Sequence, residues 1–242
     1  MPTLEGNSLR PFFGYFGSKW LAANHYRKPE HETIIEPFAG SAGYSLSYPR
    51  HDVLLYDADP VIVGVWQYLI RSSYNDIMAL PSKIEHTDEI KQCQEARWLV
   101  GLNLSPNTTA PYTKPNKWIR DGWNSTSAAW WGEKLKERIA KSVRYIKHWK
   151  AERKSYDNVP IRTGTWFVDP PYKEQGKHYK FGARLINYED LSAWCRTLPG
   201  QVIVCEAEGA NWLDFRILRQ TYSTATRNGR SRGSKDVVWY NN

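Results

Sequence analysis

The chain has 242 residues with 33 Lys plus Arg against 25 Asp plus Glu, a formal charge of +8. That length suits one α/β domain with room for a small inserted subdomain, and that charge favours a polyanionic partner over a basic one. Cys93, Cys195 and Cys205 are odd in number and lack C-x-x-C spacing, the six histidines show no ligand spacing, and the longest apolar stretch, Val61 to Ile70, is too short to span a bilayer. These features exclude a disulfide framework, a zinc site and a membrane span, and with no basic-then-apolar leader they lead us to expect a soluble protein of a reducing cytoplasm, without metal.

In chain order, Tyr15-Phe16-Gly17-Ser18-Lys19-Trp20 sets a lysine in a Gly-Ser turn before a helix, a partner for a carboxylate or a phosphate. Thr33 to Phe38 is predicted as a strand, followed by the small-residue turn Ala39-Gly40-Ser41-Ala42-Gly43 and a short helix. Asp52 to Asp57 is a second strand, with a helix over Val61 to Tyr74. Strand, turn, helix, strand, helix predicts a parallel sheet. A further helix is expected over Glu89 to Leu102.

The composition then changes. Asn103 to Ser127 is rich in Pro, Asn, Thr and Ser, with Trp118 and Trp123 set among Lys114, Lys117 and Arg120. Aromatics interleaved with cations suit nucleic acid, and long structured loops in compact domains tend to be functional. From Ser127 to Glu152 a helical period returns, with Trp131, Leu135, Ile139, Val143 and Ile146 as one stripe. The other faces carry Lys134, Lys136, Arg138, Lys141, Arg144, Lys147 and Lys150, either a solvated cationic face or a phosphate contact.

Thr165-Trp166-Phe167-Val168 is a buried strand that ends at Asp169-Pro170-Pro171-Tyr172. The two prolines stop ladder pairing and fix the backbone, so an acid and an aromatic are held at the carboxyl end of a strand. In an open α/β sheet ligands bind at that edge. A carboxylate and a rigid carbonyl can accept both hydrogens of an exocyclic amine, while Tyr172 offers a face for stacking. A polar loop follows to Asn187, then a helix from Glu189 to about Thr197 and a strand over Gln201 to Cys205. Two closing strands are expected near Phe215 to Thr221 and Asp236 to Tyr240, joined by a basic, glycine-punctuated loop carrying Arg227, Arg230 and Arg232.

The glycine turn would let backbone approach a nucleoside-bearing ligand, although many such turns are only structural. Asp57 stands where a doubly wound fold binds ribose hydroxyls, and equally where a helix N-cap would stand, since Pro60 follows.

Taken in order, Tyr15 to Trp20, Glu36-Pro37-Phe38-Ala39-Gly40-Ser41-Ala42-Gly43, Tyr56-Asp57-Ala58-Asp59 and Asp169 to Tyr172 resemble the Dam-type (D-P-P-Y) DNA adenine-N6 methyltransferases, including phage and prophage types. The closing segment Asp236 to Asn241 resembles that family's final strand. The resemblance implies an α/β fold: a Rossmann-like S-adenosylmethionine-dependent methyltransferase sheet with helices on both faces. A catalytic domain would span 1–102 and 153–242, and a small, largely helical target-recognition insert 103–152.

By the same resemblance the cofactor is S-adenosylmethionine, held by Tyr15, Lys19, Glu36, Phe38, Ala39, Gly40, Asp57, Ser155, Tyr156 and Asp169. Asp169, Pro170, Pro171 and Tyr172 are the implied catalytic set. The implied partner is DNA, double-stranded, bound by a monomer through Lys114, Lys117, Trp118, Arg120, Trp123, Arg227, Arg230 and Arg232. The setting would be the cytoplasm of a bacterium or of a phage-infected host. RNA or single-stranded DNA as substrate, and a non-catalytic nucleic-acid-binding protein of the same fold, are the rival readings. Two departures stand out: Ala42 where the family has its second turn glycine, and Cys205-Glu206-Ala207-Glu208 where it often has Ser-Asn.

Overall fold

A computed structural model describes residues 8–105, 108–122, 130–174, 176, 180–222 and 233–241. Its strands are β1 Thr33–Glu36, β2 Asp52–Asp57, β3 Lys150–Arg153, β4 Gly164–Val168, β5 Gly200–Ala207, β6 Arg216–Tyr222 and β7 Gly233–Tyr240. The helices are α1 Pro60–Arg71, α2 Tyr74–Met78, α3 Gln94–Leu102, α4 Lys117–Arg120, α5 Glu133–Ser142 and α6 Tyr188–Thr197.

Side chains alternate between the two faces of each strand, and this builds two cores. Ile34, Val53, Leu55, Phe167 and Ile203 pack with Trp66 and Leu69 of α1, Leu99 of α3, and Leu135 and Ile139 of α5. Their neighbours Ile35, Trp166, Val168, Val202 and Val204 pack on the other face with Leu191 and Cys195 of α6. Every residue of β4 is buried, as a central parallel strand covered on both faces requires. The chain is therefore an α/β protein with helices on both faces of one sheet.

The seven strands are ordered β3-β2-β1-β4-β5-β7-β6. β1 pairs in parallel with β2 and β4, β2 with β3, and β4 with β5, while β7 runs antiparallel between β5 and β6. From β1 the chain moves outward to β2, and from β4 it moves the opposite way to β5. The loops leaving β1 and β4 therefore diverge, and a crevice opens at their carboxyl ends.

Several elements differ from the sequence expectation. β1 stops at Glu36 because Pro37 has no N–H to donate. The helix expected over Val61 to Tyr74 ends at Arg71, and a separate α2 starts at Tyr74, where Ser73 forms a capping box with Asp76. The helix expected from Glu89 begins only at Gln94, after a separate 3-10 turn Thr87–Glu89. The long helix expected to Glu152 ends at Ser142, passes through a 3-10 turn Val143–Ile146, and gives way to β3. The apolar stripe is real, since Trp131, Leu135, Ile139, Val143 and Ile146 are all buried. β3 carries only one buried residue, Ala151, too little alternation to reveal a strand whose existence depends on pairing with β2. Among the described residues no helix is long and apolar enough to cross a membrane.

The small-residue turn after β1 has a specific packing demand. A Cβ on Gly43 would lie 2.5 Å from the Trp20 nitrogen and 2.8 Å from the Lys19 nitrogen. Ala42 meanwhile takes a left-handed backbone, φ 50°. The glycine thus stands where backbone meets backbone. Gly43→Ala is expected to lower stability by about 1–3 kcal/mol, as overpacking does, read from urea unfolding midpoints.

Candidate active site

The carboxyl ends of β1, β2 and β4 border one cleft of about 1060 Å³. Tyr15, Lys19, Glu36, Phe38, Ala39, Gly40, Asp57, Ser155, Tyr156 and the four residues of the tetrapeptide all line it. Residues widely spaced in the chain are brought together here by the strand order.

At its centre Lys19 Nζ donates to Asp169 Oδ2 at 2.8 Å and lies 2.7 Å from Oδ1. A second Lys19 bond runs to the Gly17 carbonyl at 2.9 Å. Burial alone works against the ammonium, but the Asp169 carboxylate raises Lys19 well above its ordinary range. Burial also pushes the Asp169 carboxyl up, and Lys19 opposes that push. The same ammonium sits 4.7 Å from the centre of the Tyr172 ring, a ring that packs against the core and also lines the cleft. The Tyr172 hydroxyl is buried without a hydrogen-bond partner.

Asp57 ties the two strand-end turns together. Its Oδ2 accepts from the Gly40 N–H at 3.0 Å and its Oδ1 from the Asp59 N–H at 2.9 Å. It is not the helix cap: Asp59 caps α1 by accepting from the Val61 N–H at 2.9 Å, with Pro60 in the first turn. Burial raises Asp57 to about 6, against the opposing pull of those N–H groups. Gly40 is held from behind by Trp66, whose Nε1 donates to its carbonyl at 2.8 Å. A Cβ on Gly40 would meet the Tyr15 ring at 3.3 Å, so the bare backbone lies against that ring. Beside this turn Phe38 stacks on Tyr156 with centroids 5.6 Å apart, and Trp194 meets Tyr156 edge-on.

Glu36 lies beneath the cleft, where its Oε1 accepts from both the N–H and the hydroxyl of Ser45. Its first duty is thus to hold the turn after β1.

The tetrapeptide is fixed from outside the cleft by residues that sequence reasoning missed. Tyr188 Oη donates to the Pro171 carbonyl, and Glu206 accepts from the Lys173 N–H at 3.1 Å. Glu206 had shown in the sequence only as a departure from Ser-Asn, and Tyr188 had no local signal.

The residues expected to touch nucleic acid are brought together less completely. Lys114, Lys117 and Arg120 are exposed, the last two on α4, which Asn116 caps through the Ile119 N–H. None of the three lines the cleft. Their segment docks on the cleft wall, where the Phe16 N–H donates to the Thr108 carbonyl at 3.0 Å. Trp118 lies in α4, but its side chain, like Trp123, Arg227, Arg230 and Arg232, falls outside the described residues.

The cations between Lys134 and Lys150 are mostly committed. Lys136 bonds to Leu80 O and Ser82, Arg138 to Arg10 O and Pro11 O, Lys141 to Glu137, and Lys147 to Ile70 O and Ser72 O. Lys136 and Arg138 thereby fasten α5 to its neighbours, and Lys147 ties the segment after it to the end of α1.

No protein-family model matches the chain, and no curated protein sequence matches it. The likeness to the D-P-P-Y methyltransferases therefore rests on the motif residues themselves.

A pH dependence follows from Glu36, which burial raises to about 8 against the Ser45 bonds. An acid raised on folding holds its proton more tightly in the native state. The stability it adds is complete below the unfolded value, near 4.3, and is lost as pH rises through about 8. Unfolding midpoints should therefore fall between pH 6 and pH 9, and Glu36→Gln should flatten that slope.

Proposed function

We propose that this chain transfers a methyl group from S-adenosylmethionine to the N6 amine of an adenine flipped out of DNA, on a Rossmann-like methyltransferase sheet. The observation that carries the reading is the shared cleft: Asp169 and Pro170 stand at the end of β4, facing the same space as the Gly40–Asp57 turns and the Phe38–Tyr156 stack.

The residues present fit that cofactor. Each Asp57 oxygen takes one backbone N–H and keeps acceptor capacity for ribose hydroxyls. Phe38 and Tyr156 offer aromatic surface to an adenine ring, and the bare Gly40 backbone beside Tyr15 permits close approach. Ala39, Glu36 and Ser155 complete that side, and Lys19 with Asp169 offers charges to an amino acid end. When bound, the cofactor supplies an electrophilic methyl group on a sulfonium.

The chain's own residues supply positioning and electrostatics. The lone pair of an adenine amine is delocalised into the ring, so the nitrogen is a poor nucleophile. Asp169 and the Pro170 carbonyl accept its two hydrogens and favour a pyramidal nitrogen with its lone pair freed. The carboxylate also stabilises positive charge developing there. Lys19 opposes the upward push that burial gives the Asp169 carboxyl. The Tyr172 ring stacks on the base, which recovers about 1–3 kcal/mol of the few that extrusion costs. Lys114, Lys117 and Arg120 hold phosphates.

Three measurements test this reading. Labelled methyl incorporation into duplex DNA should be lost in Asp169→Ala and Asp169→Asn proteins that remain folded. A panel with RNA and single-stranded DNA identifies the substrate, and equal labelling of RNA would move the reading away from DNA. Asp57→Ala should weaken S-adenosylhomocysteine binding in calorimetry at least tenfold while a DNA titration moves less than twofold. Changing Lys114, Lys117 and Arg120 to Gln should weaken binding to every duplex similarly. The same change should flatten the salt dependence, by about 0.9 in slope for each phosphate that the variant no longer neutralises.

A further inference from the structure

The residues around Tyr172 are gripped at three points, two of them by groups that do not line the cleft. On one side Tyr188 Oη donates to the Pro171 carbonyl. On the other, Glu206 accepts from the Lys173 N–H at 3.1 Å. The Tyr172 carbonyl itself accepts from the Gly176 N–H at 2.6 Å, and a Cβ on Gly176 would lie 2.8 Å from Pro171 atoms, so this glycine lies flat against the proline. Glu206 is 1% exposed, and its remaining capacity goes to the Ala207 N–H at 2.8 Å and Trp212 Nε1 at 3.1 Å. It therefore staples three segments: the end of β5, the chain leaving the tetrapeptide, and the Trp212 loop. Neither Glu206 nor Tyr188 borders the cleft.

We propose that Glu206 and Tyr188 are positioning residues of the reaction, which hold Pro171 and Lys173 from behind so that the Pro170 carbonyl, Asp169 and the Tyr172 ring keep one orientation toward the amine. The inference rests on the methyl-transfer reading above. A carboxylate suits the task because one group accepts from three donors at once, each stronger for the charge. Placing the staple outside the cleft leaves the ligand-facing oxygens unspent, and an error of about 1 Å in such an array can cost 10²-fold in rate.

The test uses the full chain with Glu206→Gln, Glu206→Ala and Tyr188→Phe. Methyl incorporation into plasmid DNA gives kcat and KM, calorimetry with S-adenosylhomocysteine gives cofactor affinity, and hydrogen exchange follows the Lys173 amide. The expected result is at least a tenfold fall in kcat for Glu206→Ala and Tyr188→Phe, with cofactor affinity within twofold of wild type. Glu206→Gln, which still accepts but cannot satisfy all three donors, should fall between wild type and Glu206→Ala. The Lys173 amide should exchange faster in both Glu206 variants. An unchanged kcat in Glu206→Gln and Tyr188→Phe, or parallel losses of kcat and cofactor affinity, would overturn the positioning role. A wild-type protein that labels no nucleic acid would instead defeat the methyl-transfer reading. The exchange measurement would then still decide whether Glu206 holds the loop, and unaltered protection of Lys173 would refute that as well.

Discussion

The buried contact between Lys19 and Asp169 is the constraint around which the rest of the cleft is arranged. Taking two charges out of water costs several kcal/mol per ion, and their attraction repays this only with good geometry and further hydrogen bonds. Lys19 has both: two carboxylate oxygens within 2.8 Å and the Gly17 carbonyl at 2.9 Å. Holding that geometry makes demands on distant parts of the chain. β4 must stop at the prolines so that Asp169 projects from the sheet, and the segment carrying Lys19 must lie directly on the turn after β1. Gly43 makes that approach possible, and the Ser41 hydroxyl, donating to Ser18 at 2.8 Å, fastens it. A pair so costly to bury adds little net stability. Its value lies in fixing where a carboxylate and an aromatic face stand relative to each other, since the same ammonium touches both.

A second layer of order comes from acids that serve the backbone. Asp57, Asp59, Glu36 and Glu206 each accept from main-chain N–H groups at the carboxyl edge of the sheet. Loops at this edge leave the ladder and lose their regular partners, and a buried N–H without one costs free energy. Carboxylates meet that need with strong acceptors, at the cost of their own desolvation, which is why Glu36 and Asp57 rise to about 8 and 6.

Much of this was legible in the sequence where the signal was local. The apolar run before Asp169-Pro170-Pro171 marked β4, the strand-turn-helix rhythm of the first half marked the parallel sheet, and the cleft gathers every residue singled out for it. The signals that failed depend on partners far along the chain. β3 is a strand because β2 offers it an edge, so Lys150–Arg153 carries almost no pattern of its own. Asp57 and Asp59 both precede a proline-started helix, and only the fold shows which one caps it. Glu206 could be seen as an oddity of composition, but its task is set by an N–H 33 positions earlier, and no periodicity encodes that.

The cations divide in a way that composition could not reveal. Lys136 has a counter-ion in Glu133 at 3.2 Å, but Arg138 and Lys147 bond to carbonyl oxygens, which fixes their side chains without neutralising their charge. A carbonyl supplies a dipole and not a counter-ion, so these groups continue to contribute to the field of the molecule while being unable to reach a phosphate. Lys114, Lys117 and Arg120 are exposed and have that reach. The cations therefore fall into two sets, a fixed one that adds to the field of the molecule and an exposed one beside the cleft wall. The first set doubles as packing, since its side chains fasten α5 and the turn that follows it. Removing one of these cations would loosen the fold as well as the field, whereas the exposed set is under no such double duty.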